Sequence, residues 1–551
     1  MTETTAARRL VEALIAHGVT HVFCVPGESY LPVLDALWDV RDRIQVVACR
    51  HEAGAANMAV AYGKLTHRPG VCMVTRGPGA THASIGVHTA RQDSAPMILF
   101  VGQVARRDLG REAFQELDYP AVFGSIAKWT AQVDDAERMG ELVGRAFATA
   151  VQGRPGPVVL ALPEDMLNDR ASRPRPPPGA PAEAAPTPAF LDSLAARLLA
   201  AERPMVVLGG TGWTAAALDA LTAWADRAGL PVALSFRRKD LIDNDHRVYA
   251  GDLGLGSNAR LLERVRAADL VIALGARLGE NPTQGYSLFT PQDTAARLVH
   301  IHPDPQELGR VWPPSLAAAA DVAPAAAALT RIELPAGRWR AWGDAARGDQ
   351  TAFCAPIETQ GRVNLSEVFH HLAEALGPDA IVCNGAGNYA AWLHRFYRHR
   401  RFHTQLAPTS GAMGFGFPAA VAAKILYPGR EVVAVAGDGC FLMAAQELAT
   451  AMQYGAAVVI LVVDNGAYGT IRMHQEMKFP GRTLATDLGN PDFTAYARAF
   501  GAWARRVEAT ADFPDALREA RAAGRPALIH LLTDLEDIAP GRRLSELQPA
   551  S

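Results

Sequence analysis

The segments EVVAVAGDG (431–439) and VVILVVDNGAYG (458–469) decide how this chain folds. Each is an apolar run ending in a polar, glycine-bearing turn, and a helical pattern through Glu447 and Met452 joins them. A strand that is apolar on both faces is covered on both faces, which predicts a parallel sheet between layers of helices. Both turns then fall at the carboxyl ends of neighbouring strands, where open α/β sheets bind ligands.

The same alternation runs outward through the chain. AIVCN (380–384) and ALIHLL (527–532) complete the buried strands of this last block. An earlier block carries MVVLGG (205–210), LPVALS (230–235), LVIALG (270–275) and LVHIH (298–302). The first carries HVFCV (21–25), VCMVT (71–75), MILFV (97–101) and PVVLAL (157–162). The proline-rich stretch RPRPPPGAPAEAAPTP (173–188) reads as a linker, and an irregular stretch over 334–362 as a second. The expected architecture is α/β: three consecutive parallel-sheet domains over 1–172, 189–333 and 360–545, a division that suits 551 residues.

Composition excludes several classes. With 49% hydrophobic residues, 20% charged residues and a net charge of −3, the chain has no field to draw it onto nucleic acid or an anionic membrane. The basic run His394–Arg401 therefore reads as a solvated face or subunit contact. No stretch approaches the ~18 apolar residues of a membrane span, and MTETTAARRL has no secretory core. The six cysteines form no C-x-x-C pair and read as buried free thiols of a cytoplasmic protein.

The two turns carry chemistry. Gly437 and Gly439 let backbone N–H groups approach phosphate oxygens. Asp438 and Asn465 can each give a metal one oxygen and the Ala467 carbonyl a third, a hard-oxygen set that suits Mg²⁺. Between Gly439 and Asn465 lie 25 residues (440–464). This GDG-to-asparagine spacing resembles the signature of the thiamine-diphosphate enzyme superfamily, with Asp464 where many members have a first asparagine.

The resemblance implies thiamine diphosphate and Mg²⁺ as cofactors, with the diphosphate held around Gly437–Gly439 and Asn465, Ala467, Tyr468 and Gly469. It makes 1–172 a pyrimidine-binding domain, 189–333 a central Rossmann-like domain and 360–545 a diphosphate-binding domain. In TSGAMGFG (409–416), Met413 would hold the cofactor's bent conformer and the Gly411 carbonyl would accept from its aminopyrimidine. Read without the family, Met413 is a core methionine. In NGAGNY (384–389), Asn388 and Tyr389 match diphosphate contacts, or cap a helix. Glu52, in RHEAGAANMA (50–59), sits where members carry the glutamate that shares a proton with the pyrimidine; alone it would be an acid favoured by a helix N-terminus. The domains bearing Glu52 and the diphosphate meet across a subunit interface in this family, which implies a homodimer or homotetramer.

Overall the chain is similar to the acetolactate synthase branch, through VPG (25–27), TRGPG (75–79) and AFQE (113–116). Phe114 and Gln115 match residues lining the space over the reactive carbon, although Gln115 also suits a structural loop amide. The implied activity is carboligation: a small 2-oxo acid such as pyruvate is decarboxylated and joined to a carbonyl acceptor. The alternative is a 2-oxo acid decarboxylase or C–C lyase that releases an aldehyde. Two departures bear on this choice. His474 stands where the synthases carry an indole, and reads as a substrate contact or a packed histidine. Glu28-Ser29 replaces small residues, and Glu28 reads as a second proton-handling group, its pKa raised if buried, or as a helix cap. Asp240 and Arg277 lie in central segments and take no assignment. Some relatives bind FAD in the middle domain, but MVVLGGTG lacks the full dinucleotide spacing and weighs against it here.

Overall fold

The computed structural model describes residues 4–172 and 176–547. Its core is three six-stranded, all-parallel sheets, one per consecutive α/β domain. The first contains β1 (His21–Cys24), β2 (Gln45–Ala48), β3 (Gly70–Val74), β4 (Met97–Gln103), β5 (Trp129–Gln132) and β6 (Pro157–Pro163). The middle sheet contains β7 (Pro204–Leu208), β8 (Val232–Leu234), β9 (Tyr249–Asp252), β10 (Leu270–Leu274), β11 (Leu298–His302) and β12 (Leu316–Ala319). The last contains β13 (Ile381–Asn384), β14 (Gln405–Leu406), β15 (Val432–Gly437), β16 (Val459–Asp464), β17 (Trp503–Val507) and β18 (Ala527–Leu532).

The strand orders are β2-β1-β3-β4-β6-β5, β9-β8-β7-β10-β11-β12 and β14-β13-β15-β16-β18-β17. The outer sheets thus share one topology, whose order reverses between β1 and β3 and between β13 and β15. All twelve strands read from the sequence are present. Within these three sheets the six that reading missed are β2, β5, β9, β12, β14 and β17, which are the sheet edges. An edge strand need not be apolar on both faces: β5 (WTAQ) is half-buried throughout, and β12 (LAAA) alternates half-buried with exposed.

Two linker expectations change. Residues 173–175 of the proline-rich stretch lie outside the described residues; the rest runs without helix or strand to Thr187, whose side chain caps the Pro188–Ala200 helix. The stretch over 334–362 is not irregular, because it holds the helix Arg340–Phe353. That helix buries only Gly343, Ala346 and Gln350, so no apolar run announces it. It packs on the middle sheet's domain through Trp342 Nε1, which donates to the Pro204 carbonyl, and an Arg264–Asp349 ion pair.

The first and last domains share one continuous apolar core. Lys64, on the Glu52–Thr66 helix, and Asp93, at the end of the Gly77–Asp93 helix, form a buried ion pair. Asp93 Oδ1 accepts from Thr409 N and Oγ1, both at 2.6 Å, and Lys64 Nζ donates to the Ala407 carbonyl at 2.6 Å. A buried charge pair holds only where its remaining lone pairs and protons are satisfied, as here. The six cysteines are free, and no helix among the described residues is long and apolar enough to cross a membrane.

Candidate active site

A cavity of about 240 Å³ opens at the switch point of the last sheet, between the turns that follow β13 and β15. Gly387, Asn388, Gly437, Asp438, Gly439 and Asn465 all line it. Glycine is required in this wall by close approach. A Cβ on Gly437 would lie 2.9 Å from the Tyr389 ring, and one on Gly439 would lie 2.5 Å from the Tyr468 ring. Two aromatic rings thus back the turn directly, and its space stays free for a ligand. The expected helix after the turn is broken: Asp438–Leu442 and Leu448–Gln453 flank a 3-10 turn at Ala445–Glu447.

Asp438 is buried, its Oδ1 accepting from Gly439 N at 2.9 Å and its Oδ2 from Asn490 Nδ2 at 2.8 Å. Burial pushes its carboxyl up to about 6, and the nearby Asp464 charge adds to the rise. Asn490 Nδ2 also reaches Asp464 Oδ1 at 2.8 Å, and Asp464 Oδ2 pairs with His530 Nε2 at 2.8 Å. Burial opposes the Asp464 charge, but His530 and the Gly466 N–H outweigh it and hold that carboxyl low. Asn465 and Ala467 line the same cavity, with Asn465 Oδ1 accepting from Ala467 N at 3.2 Å. A buried carboxylate that lacks a cationic partner among the described side chains, beside neutral oxygens, fits a divalent, oxygen-seeking ion.

Sequence reading missed Asn490 and His530. His530 had a signal, since it is the one polar residue within ALIHLL and a buried polar side chain needs a partner. Asn490 lies in a loop and had none.

The other expected cofactor residues converge on this cavity. Gly411 adopts φ +68°, and Gly411 and Met413 line the wall, Met413 half-buried against the core. Asn388 donates to the Ile538 carbonyl at 2.8 Å and accepts from Thr470 Oγ1 at 2.8 Å. Tyr389 OH accepts from Gly385 N at 3.0 Å and contacts Cys440 Sγ at 3.2 Å, so its hydroxyl is engaged in the wall. The helix cap considered for these two is absent, because Gly387 occupies the N-cap position. Tyr468 and Gly469 complete the turn after β16. His474 is exposed, one turn beyond the cavity-lining Thr470 and Ile471 on the helix Gly469–Lys478.

Glu52, Gln115 and Glu28 lie elsewhere. The cavity is lined from Leu365 onward, so none of the three touches it within one chain. Glu52 opens the Glu52–Thr66 helix with its side chain 13% exposed, and Oε2 accepts from His82 Nδ1 at 2.9 Å. The buried Glu447 of the last domain accepts from Arg50 N and His51 N at 3.1 and 3.0 Å and so fixes the entry to that helix. Sequence reading missed this role. Gln115 is half-buried at φ +66°, a conformation costly for a side chain with a Cβ, and its carbonyl accepts from Gly77 N at 3.0 Å. Phe114 beside it is 72% exposed. Glu28 is exposed on a 3-10 turn within the chain, so the expected burial is absent. Helix capping is absent too: the Glu28–Tyr30 turn has no side-chain cap, and Ser29 Oγ instead meets Thr75 Oγ1 at 3.0 Å.

Comparison with known proteins agrees with this geometry. Family models of the thiamine pyrophosphate (diphosphate) enzymes match in three parts: the N-terminal TPP binding domain over residues 4–122, the central domain over 191–329 and the C-terminal TPP binding domain over 385–531. The chain is 34% identical to an acetolactate synthase large subunit of Parasynechococcus marenigrum, over 90% of this chain and 82% of that one. It is 31% identical to an acetolactate synthase of Mycobacterium bovis, over 100% and 92% respectively. The acetolactate synthase isozyme 2 large subunit of Escherichia coli matches at 31%, over 97% and 96%. The chain therefore belongs to the thiamine pyrophosphate enzyme family and is an enzyme of its acetolactate synthase-like group.

Proposed function

We propose that the chain is a thiamine-diphosphate- and Mg²⁺-dependent carboligase of the acetolactate synthase type. It would decarboxylate a small 2-oxo acid such as pyruvate and join the remaining carbon unit to a carbonyl acceptor. The observation that carries this reading is the buried Asp438 carboxyl at a glycine-walled switch point, in a chain related along its length to acetolactate synthases. The chemistry supplied by thiamine diphosphate, when bound, is a carbon acid whose conjugate base adds to the oxo carbon and holds the electron pair freed with CO₂.

The chain's residues do the holding and the proton work. Asp438, Asn465 and the Ala467 carbonyl offer oxygens to Mg²⁺, and the Gly437–Gly439 turn with Tyr468 and Gly469 cradles the diphosphate beside Asn388 and Tyr389. The Gly411 carbonyl and the Met413 side chain orient the rings, and Glu52 shares a proton with the pyrimidine nitrogen. Gln115 donates to the substrate carbonyl, with Phe114 as an apolar wall. The separation of Glu52 from the cavity supports a homodimer or homotetramer in which one copy's Glu52 faces its neighbour's cavity. Exposed apolar groups on both sides, Ile471 and Met443 near the cavity and Phe114 and Ile85 in the first domain, support burial there by a second copy. Domain limits of 1–172, 189–333 and 360–545 are part of this reading, as is a cytoplasmic setting that suits the free thiols.

FAD is not part of the proposed cofactor set. Gly210 of the middle domain lines a cavity of about 400 Å³ with Arg238 and Arg277, but its turn lacks the full dinucleotide spacing, which weighs against FAD. A second reading, decarboxylase or C–C lyase, draws support from the exposed, polar Glu28 and from His474. The test is to incubate the protein with thiamine diphosphate, Mg²⁺ and a panel of 2-oxo acids. CO₂ with a coupled hydroxy-oxo acid supports the carboligase, CO₂ with free aldehyde the decarboxylase, and no CO₂ contradicts both of these.

A further inference from the structure

The Glu52–Thr66 and Gly77–Asp93 helices cross at a contact where only small residues fit. A Cβ on Gly86 would lie 2.4 Å from Ala56 Cβ. Four residues before each contact residue, on the same helix faces, stand His82 and Glu52. The crossing therefore sets these two side chains against each other, with His82 Nδ1 2.9 Å from Glu52 Oε2. The His51 ring packs against His82 at 4.5 Å between centroids, tilted by 32°, and its own Nδ1 accepts from Ala53 N at 3.1 Å. Among the described residues, Glu52 and His51 are the titratable side chains that meet His82.

The two oxygens of Glu52 are unequal. Oε2 is taken by His82, whereas Oε1 has no hydrogen bond among the described residues and lies beside Gly79, whose missing Cβ would sit 3.5 Å away. Exposure is unequal as well. Within one chain the His82 side chain is 53% exposed and that of Glu52 is 13% exposed, so the imidazole lies on the open side of the carboxyl.

We propose that His82 is the positioning residue and proton supplier of Glu52, an inference that rests on the cofactor role of Glu52 proposed above. With Glu52 ionised, His82 Nδ1 carries the proton and fixes Oε2, which leaves Oε1 as the oxygen presented to the cofactor. Reprotonation of Glu52 runs through the same contact. The Nδ1–H bond breaks as its proton passes to Oε2, and Nε2 takes a proton from solvent. One proton thus moves from solvent to the carboxyl, and the ring ends as its other neutral tautomer. No co-reactant beyond water is needed.

The experiment has two arms. In cofactor-free protein, the tautomer of the His82 ring is read by ¹⁵N NMR with and without Glu52→Ala; an Nδ1–H tautomer that is lost in the variant supports the pair, and an unchanged tautomer overturns it. With thiamine diphosphate and Mg²⁺ bound, exchange of the thiazolium C2 proton into D₂O is followed alongside the cofactor Kd. His82→Ala and His82→Asn are both expected to slow exchange by roughly tenfold or more at unchanged Kd, with added imidazole restoring the alanine variant. His82→Asn keeps a donor to Oε2, so full exchange in that variant contradicts the proton supply. Full exchange in His82→Ala contradicts the whole proposal. If the unaltered protein binds no thiamine diphosphate, the proposal falls with the functional reading, and a His82 tautomer that still responds to Glu52→Ala places the fault in that reading.

Discussion

The first and last sheets run their strands in the same order, and the last opens a cavity of about 240 Å³ at its switch point. In the first sheet that position is filled by the chain itself. Ser29 Oγ meets Thr75 Oγ1, Tyr30 OH donates to the Val25 carbonyl at 2.6 Å, and Arg76 pairs with Glu164. Gly102, in β4, leaves room for Ser29: a Cβ there would lie 1.9 Å from Ser29 Oγ. In the last sheet the glycines face a cavity, and the buried carboxyl of Asp438 has no cationic side chain paired with it among the described residues. Topology offers a crevice to both sheets, and side-chain volume and charge decide which becomes a site.

The sharpest way to break this contrast is Asp438→Ala. It should lower Mg²⁺-dependent thiamine diphosphate affinity by about 100-fold or more, read by calorimetry, with the fold retained. Glu52→Gln tests the other outer domain and should cost roughly 10²–10⁴-fold in turnover while cofactor affinity stays unchanged. A pair of glycine substitutions then separates the two crevices. Gly102→Ala should lower unfolding stability by about 1–3 kcal/mol through overpacking against Ser29. Gly439→Ala should instead appear chiefly as weakened cofactor binding, because the displaced Tyr468 ring borders the cavity. Equal effects of the two on binding would erase the distinction.

The smallest effect concerns the junction that joins the domains. His67 Nε2 meets His403 Nε2 at 2.8 Å, and Gly212 N of the middle domain donates to His67 Nδ1 at 3.3 Å. Burial lowers His67 to about 3, with the charges of His403 and Arg238 adding, and lowers His403 to about 4, with those of Arg238 and Arg430 adding. Both are therefore neutral in the fold, while in the unfolded chain they take up protons near 6.5. Their contribution is present above about pH 6.5 and is lost as pH falls toward about 4. His403→Gln should flatten that part of a stability-against-pH curve measured by denaturant unfolding; an unchanged slope would contradict the assignment.

How much the sequence disclosed follows burial. The twelve interior strands were legible because strands covered on both faces are apolar throughout, as in VVILVVD (458–464). The six edge strands were not, since sequences such as WARRV (503–507) mix exposed and buried positions and find their place only by pairing with a neighbour. The Arg340–Phe353 helix was hidden for the same reason. At the site, residues bound to a local turn were legible: Asp438, Asn465, Gly411 and Met413 all reach one cavity. Groups that act across long sequence separations were not, as with Glu447 on the amides of Arg50 and His51, or Asn490 bridging Asp438 and Asp464. No spacing rule records a contact that only the tertiary fold creates.

The claim that one copy's carboxylate serves a neighbouring copy's metal-bearing cavity is tested most directly by mixing subunits. Purified Glu52→Gln and Asp438→Ala proteins, each inactive alone, are dissociated, combined in equal amounts and reassembled. Each mixed dimer then holds one cavity with an intact Asp438 facing an intact Glu52, so activity should return to about a quarter of that of the unaltered protein. A mixture that stays as inactive as its components would contradict a site shared between chains.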